Sequence, residues 1–185
     1  QEARSKLPTW VDDYDTKYDI VMSDDIDSFL GTVFLLHNFD NYRLNYFYSF
    51  DTLYEVEKSN NDKIYVDVDV VYNKGWGNHV TTNINKQIAN LNVINNITQR
   101  NYYQKYAGST LLTILSYYDY PIFIFGEEAQ KVLLAVDCSF KGFYMPKFKE
   151  YNKKYINDVL EFDYLYQLQS KYSMNEFYNV IKKYN

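Results

Sequence analysis

The run Ser23-Asp24-Asp25-Ile26-Asp27-Ser28 places three carboxylates within four residues, directly after the apolar run Tyr18-Asp19-Ile20-Val21-Met22 and before the amphipathic stretch 29–37. A short apolar strand that ends in acids and opens into a helix points to an α/β fold, in which strand ends commonly present ligands for hard cations. A plainer requirement is met by the same residues. Asp or Ser before a helix caps it, and further acids near its positive end are electrostatically favoured. On this segment alone both readings stand.

At 185 residues the chain is expected to form one domain with a real core. The reading divides it into a polar N-terminal tail (1–12), an α/β domain (13–150) and a C-terminal helical segment packed on that domain (151–185). With 22 Tyr and 12 Phe, aromatic rings must supply much of the packing, and their polar rims go with the low mean hydropathy of −0.48. One cysteine, Cys138, excludes an intrachain disulfide and a Cys-rich zinc site, and is read as a small buried or half-buried residue. No apolar run approaches the roughly 20 residues of a spanning helix, so no membrane partner and a cytoplasmic location are expected. The Asn- and Tyr-rich composition suits an AT-rich bacterium or its phage. A net charge of −5 argues against a broad electrostatic grip on duplex nucleic acid. Lys147, Lys149, Lys153 and Lys154 read as a solvated helix face, with a basic strip beside an acidic centre as the alternative.

Along the chain, strands are expected at 18–22 and 42–50 and a helix at 27–37. Residues 63–71 have the β-branched composition of a buried strand interrupted by acids, with Asp67 and Asp69 on one face. A carboxylate in such a strand is costly unless paired or bound to a cation, although an outward-facing alternation also accounts for it. The following loop has Gly75 and Gly77 and ends at His79. His37 reads as a helix C-terminal or packing residue. A helix at 101–118 is expected to carry Ala107-Gly108-Ser109-Thr110 within it, and another at 126–136 to deliver Asp137. Helices at 151–166 and 173–184 follow, the last opened by the capping box Ser173-Met174-Asn175-Glu176.

The order of Asp25-Ile26-Asp27-Ser28, Asp67, Gly77-Asn78-His79, Gly108-Ser109-Thr110-Leu111-Leu112 and Leu133-Leu134-Ala135-Val136-Asp137 resembles the DHH phosphoesterase superfamily, the RecJ-like group, in a divergent single-domain form. That resemblance implies a three-layer α/β domain with a largely parallel sheet plus C-terminal helices. It also implies Mn²⁺ (or Mg²⁺) held by Asp25, Asp27, Asp67, Asn78, His79 and Asp137, with His79 and Asp67 in catalytic roles. Asp69 would orient these ligands or face solvent. Two departures concern the ligands. Where the family has Asp-His-His this chain has Gly77-Asn78-His79, and the family's His four positions before the first Asp falls on Val21. An Asn still offers a carbonyl oxygen, a weaker donor than imidazole toward Mn²⁺.

The expected function is hydrolysis of a nucleotide, oligonucleotide or related phosphate compound by a metal-activated water. The alternative is a catalytically degenerate domain that binds nucleic acid, a nucleotide or a protein partner. A third reading is an unrelated α/β interaction module whose acids are caps and surface charge. The second domain that normally supplies substrate contacts in that superfamily has no counterpart here, which leaves an open site for a small substrate, single-stranded nucleic acid, or a protein partner that completes it.

Overall fold

The computed structural model describes residues 2–184. They form a sheet of six strands: β1 (Tyr18–Ser23), β2 (Tyr42–Tyr48), β3 (Leu53–Glu55), β4 (Asp62–Val66), β5 (Lys74–Trp76) and β6 (Ile88–Ala89). Their order is β3-β2-β1-β4-β5-β6, and only the β2–β3 pair is antiparallel. Tyr18 at the start of β1 sits beside Tyr42 of β2 on one side and Asp62 of β4 on the other. Ile20 and Val21 are fully buried, as a central parallel strand with both faces covered requires.

The helices are α1 (Ile26–Asn38), α2 (Leu91–Ile94), α3 (Thr110–Tyr117), α4 (Glu127–Ala135), α5 (Lys141–Tyr144), α6 (Pro146–Lys153), α7 (Asp163–Lys171) and α8 (Met174–Tyr184). They lie on both sides of the sheet, giving an α/β architecture. Close packing of α1 depends on Gly31, where a Cβ would stand 2.9 Å from Val66 Cγ1 and 3.1 Å from Ile114 Cδ1. The chain leaves β1 for β2 through α1 and then returns past β1 to β4. Strand order therefore reverses at the β1/β4 boundary, where open α/β sheets leave a crevice beyond the strands' carboxyl ends.

Several expectations from the sequence need correction. Of the segment read as a polar tail (1–12), Gln1 lies outside the described residues, and residues 2–12 are no tail: Leu7, Trp10 and Val11 are buried in the core. Trp10 stands edge-on to Trp76 at 5.8 Å, and its indole N–H donates to Gln87 O at 2.8 Å. The strand expected at 63–71 stops at Val66, because Asp67 takes a left-handed backbone (φ 54°) that no strand continues through. Asp67 and Asp69 therefore do not share a strand face. The helix expected at 101–118 is two elements, a 3-10 segment Gln99–Gln104 and α3. Residues Ala107 to Ser109 form the turn between them, with Ser109 as the cap of α3. The helix expected at 151–166 breaks at Leu160–Phe162, before α7. The capping box at Ser173 forms: Ser173 N–H donates to Glu176 Oε2 at 2.7 Å, and Glu176 N–H to Ser173 Oγ at 3.4 Å. The C-terminal helices enter the core through Leu165, Leu168 and Phe177, whose ring stacks on Phe140 at 4.9 Å.

Asp19 in β1 is completely buried, yet it is not part of any site. Its carboxylate accepts from Asn45 Nδ2 at 2.8 Å, Asn61 Nδ2 at 3.0 Å and the Arg43 guanidinium, which also pairs with Glu57. Burial alone would push this carboxyl up; hydrogen bonds with Ser59, Asn61, Asn45 and Arg43 outweigh it and hold it below the ordinary value of 3.8. With the folded value depressed, the stabilisation is fully present above 3.8 and is lost as the pH falls through the folded value. Asp19→Asn is expected to cost about 2 kcal/mol in urea unfolding at pH 7 and progressively less at pH 3 and below. An equal cost at both pH values contradicts a role for the charge.

Candidate functional site

The β1–α1 turn is fixed to the end of β4 before any acid is placed. Ser23 N–H donates to Ser28 Oγ at 2.9 Å, and the Ser28 hydroxyl donates to Val66 O at 2.6 Å. Asp25 caps α1 from an extended backbone, its Oδ1 accepting the Asp27 N–H at 2.7 Å. The cap reading of this segment is thus realised for Asp25, which remains exposed to solvent.

Asp27 points inward and is completely buried. Its two oxygens accept the first free N–H groups of α3, from Thr110 and Leu111, each at 2.7 Å. Ser109 Oγ accepts a third, from Leu112 at 3.1 Å. One carboxylate of α1 therefore closes the N-terminus of α3, and the positive end of that helix faces the negative charge. Burial, followed by the charge of Asp67, pushes the Asp27 carboxyl well above its ordinary value, with the N–H groups of Leu111 and Thr110 opposing.

Thr110 links the first acid to the second, since its hydroxyl donates to Asp67 Oδ1 at 2.6 Å. Asp67 follows β4 directly, and its N–H pairs with Trp76 O at the end of β5 at 2.9 Å. Its carboxyl is also raised, mainly by burial and then by Asp25 and Asp137, against the Thr110 bond and the charge of His79.

Asn78 and His79 enter from the loop after β5. Asn78 is buried and its Nδ2 donates to Gly108 O at 2.8 Å and to Asp137 Oδ2 at 2.7 Å, while its Oδ1 is buried with no partner. Asn92 Nδ2 holds the backbone of this loop through Asn78 O at 2.6 Å. His79 Nδ1 lies 3.2 Å from Asp69 Oδ1. That pairing, opposed by burial and helped by Asp67 and Asp137, raises the imidazole to about 9. His79 is therefore an imidazolium at neutral pH and offers protons rather than a lone pair.

Asp137 sits in the turn Val136–Cys138, beyond α4. Asp137 (φ 48°) and Cys138 (φ 53°) are both left-handed, a strained pair of the kind found where a side chain must be aimed. Although Asp137 reaches solvent, burial at the site raises its carboxyl, with Asn78 and His79 opposing and Asp25 adding to the rise.

The structure thus gathers Asp25, Asp27, Asp67, Asn78, His79 and Asp137 at the carboxyl ends of β1, β4 and β5, around the point where strand order reverses. Asp69 serves as the orienting neighbour of His79. His37 lies in the last turn of α1, and Val21 is core. Lys147, Lys149, Lys153 and Lys154 are exposed, with Lys149 over the Phe143 ring at 4.9 Å. Among the described residues no three His, Cys, Asp or Glu side chains form a group that could hold a metal ion. What the centre offers a hard cation is chemistry: oxygen donors, carboxyls crowded enough to raise one another, and an unpaired Asn78 oxygen.

Beside the centre runs a cleft of about 520 Å³, walled by Asn78, His79 and Asp137 on one side and by Tyr102, Lys105, Lys141 and Phe148 elsewhere. The sequence reading missed these last four and gave Thr110 no role. The signal for Thr110 was its place in Gly108-Ser109-Thr110-Leu111-Leu112. Among the described residues no helix is long and apolar enough to cross a membrane. Comparison with protein-family models, with curated proteins and with solved structures finds no match to this chain.

Proposed function

We propose that this chain is a divalent-cation-dependent phosphoesterase acting on a nucleotide, oligonucleotide or related phosphate compound. The observation that carries the reading is the convergence of Asp27, Asp67 and Asp137, from three distant parts of the chain, into one centre where these three carboxyls are raised. A structure gains nothing by crowding like charges at a strand crevice unless something positive is to be held there. The resemblance in motif order to DHH phosphoesterases supports the same reading.

Asp25, Asp67 and Asp137 form no ready metal group as they stand, and to hold Mn²⁺ or Mg²⁺ they would have to close on it together with Asn78 Oδ1, Asp27 staying with the N–H groups of α3. When bound, such a cation supplies charge neutralisation and a more acidic water. The chain's own residues account for the protons. Asp67 takes the proton of the attacking water as the water oxygen bonds to phosphorus. The ester P–O bond breaks, and the leaving oxygen takes a proton from the His79 imidazolium, which Asp69 holds in place. Thr110 fixes Asp67 for its part, and the N-terminus of α3 lies behind both acids.

A degenerate binding domain is favoured by one observation: the Asn78 amide is spent on Gly108 and Asp137, and no ready-made metal group stands among the described residues. Hydrolysis of bis(p-nitrophenyl) phosphate separates the two. The phosphoesterase reading expects turnover that appears with Mn²⁺ and vanishes with a chelator. A protein that stays inactive toward this and toward short oligonucleotides under both conditions is the binding domain.

A further inference from the structure

The cleft beside the carboxylates differs from them in chemistry. Lys105 and Lys141 both line it, and neither makes a salt bridge among the described residues, although the charge of Lys105 is felt by Asp137 in the same cleft. Among the described residues five lysines are ion-paired, Lys6 with Glu2, Lys74 with Asp62, Lys131 and Lys183 with Glu128, and Lys171 with Glu127; what sets Lys105 and Lys141 apart from the other lysines is that they line this cleft. Two half-buried lysines thus line one cavity in a protein of net charge −5.

Lys141 has the Cys138 thiol beside it, the charge of Lys105 reaches Asp137, and both lysines also meet aromatic rings. Lys105 Nζ donates to Tyr102 Oη at 3.0 Å and lies 4.7 Å from that ring's centre, and Lys141 Nζ lies 5.6 Å from the Tyr178 ring. Tyr102 and Phe148 meet edge to face at 6.4 Å, forming an aromatic corner on the cleft wall. Lysine is a point charge suited to a phosphate oxygen, and a flat ring stacks on aromatic side chains whatever its identity. The cleft's volume is in the range of small-molecule sites, which run from about 300 to 1,000 Å³.

We propose that this cleft is the chain's own nucleotide-anchoring subsite: Lys105 and Lys141 hold a phosphate that is not cleaved, and Tyr102 and Phe148 hold the base next to it. The proposal rests on the phosphoesterase reading for its orientation, because the reacting phosphate lies at the Asp137 and His79 end of the same cleft. It commits to a ligand one or two nucleotides long, anchored by side chains that belong to neither the carboxylate centre nor the basic surface of α6.

The test is equilibrium binding of the 5′-phosphorylated dinucleotide pdAdA to the full chain in EDTA, so that turnover plays no part. Wild type is expected to bind. Lys105→Gln/Lys141→Gln is expected to weaken binding by about 30-fold or more and to flatten its salt dependence, since each substitution removes one positive charge from beside the phosphate. Phe148→Ala is expected to weaken it by about 10-fold, in the range for one stacked base. Lys105→Arg/Lys141→Arg, which keeps the charge, should recover most of the affinity and excludes misfolding as the cause. No binding by wild type, or equal binding by the Gln variant, overturns the proposal. Cleft-dependent binding without any Mn²⁺-dependent hydrolysis removes the phosphoesterase reading alone. Hydrolysis with unchanged binding in the variants removes the subsite alone.

Discussion

Asp27→Ala is expected to lower the stability of this protein by about 3 kcal/mol, because it strands the Thr110 and Leu111 N–H groups in a place no water reaches. Each buried donor left without a partner costs about 1–3 kcal/mol, and the loss of a helix cap has a similar size. For a chain of this length the melting temperature should fall by about 6–12 °C. Asp27→Asn should cost less: the amide keeps an acceptor for one N–H and sheds a charge that the site pushes out of its ordinary range, but it turns its own NH₂ toward the second. Thermal unfolding of the two variants checks this order. Equal melting of wild type and Asp27→Ala would mean that α3 finds its cap elsewhere.

Asp67→Asn is expected to abolish hydrolysis, by about 10³-fold or more, while leaving the fold intact. The choice of asparagine follows from the backbone. Asp67 is left-handed at φ 54°, a conformation that Asn tolerates and Ala does not, and Asn Oδ1 still accepts the Thr110 hydroxyl. Alanine at this position would mix loss of chemistry with backbone strain of about 1 kcal/mol or more. In metal-free buffer the Asn variant should melt no lower than wild type at pH 8. A carboxyl whose folded value is raised contributes stability that is complete below its unfolded value and is lost as the pH climbs through the folded one, so at pH 8 the wild-type carboxylate at Asp67 is a burden. Stopped hydrolysis with unchanged melting is the expected pair of results. A variant that hydrolyses at the wild-type rate removes Asp67 from the chemistry.

These positions were readable to different degrees. A β-branched strand that runs into carboxylates is a local pattern, so Asp25, Asp27 and Asp67 stand out at once. The sequence does not say that Asp27 spends both oxygens on a helix more than eighty residues away, because that contact depends on the packing of α1 against α3 around Gly31. Val68, Val70 and Val71 mimic a buried strand, and only the left-handed turn at Asp67 ends β4. The stretch around Gly108 reads as helix by composition. It is not helical, because Ser109 is extended and spent as the cap of α3, and Tyr106 Oη packs 2.4 Å from where a Cβ on Gly108 would stand. Residues 2–12 look polar, yet Leu7, Trp10 and Val11 tie them to the core. Lys105 and Lys141 carried no signal, since what distinguishes them is the cavity they line.

Calorimetric titration of the metal-free protein with Mn²⁺ at neutral pH tests the central claim most directly. The carboxylate centre predicts saturable binding in wild type that weakens by about 100-fold or disappears in Asp67→Asn, as expected when a donor of a cation site is neutralised. Absence of binding in wild type, or binding that the variant retains unchanged, would contradict it and leave the gathered acids as a capping network for α1 and α3.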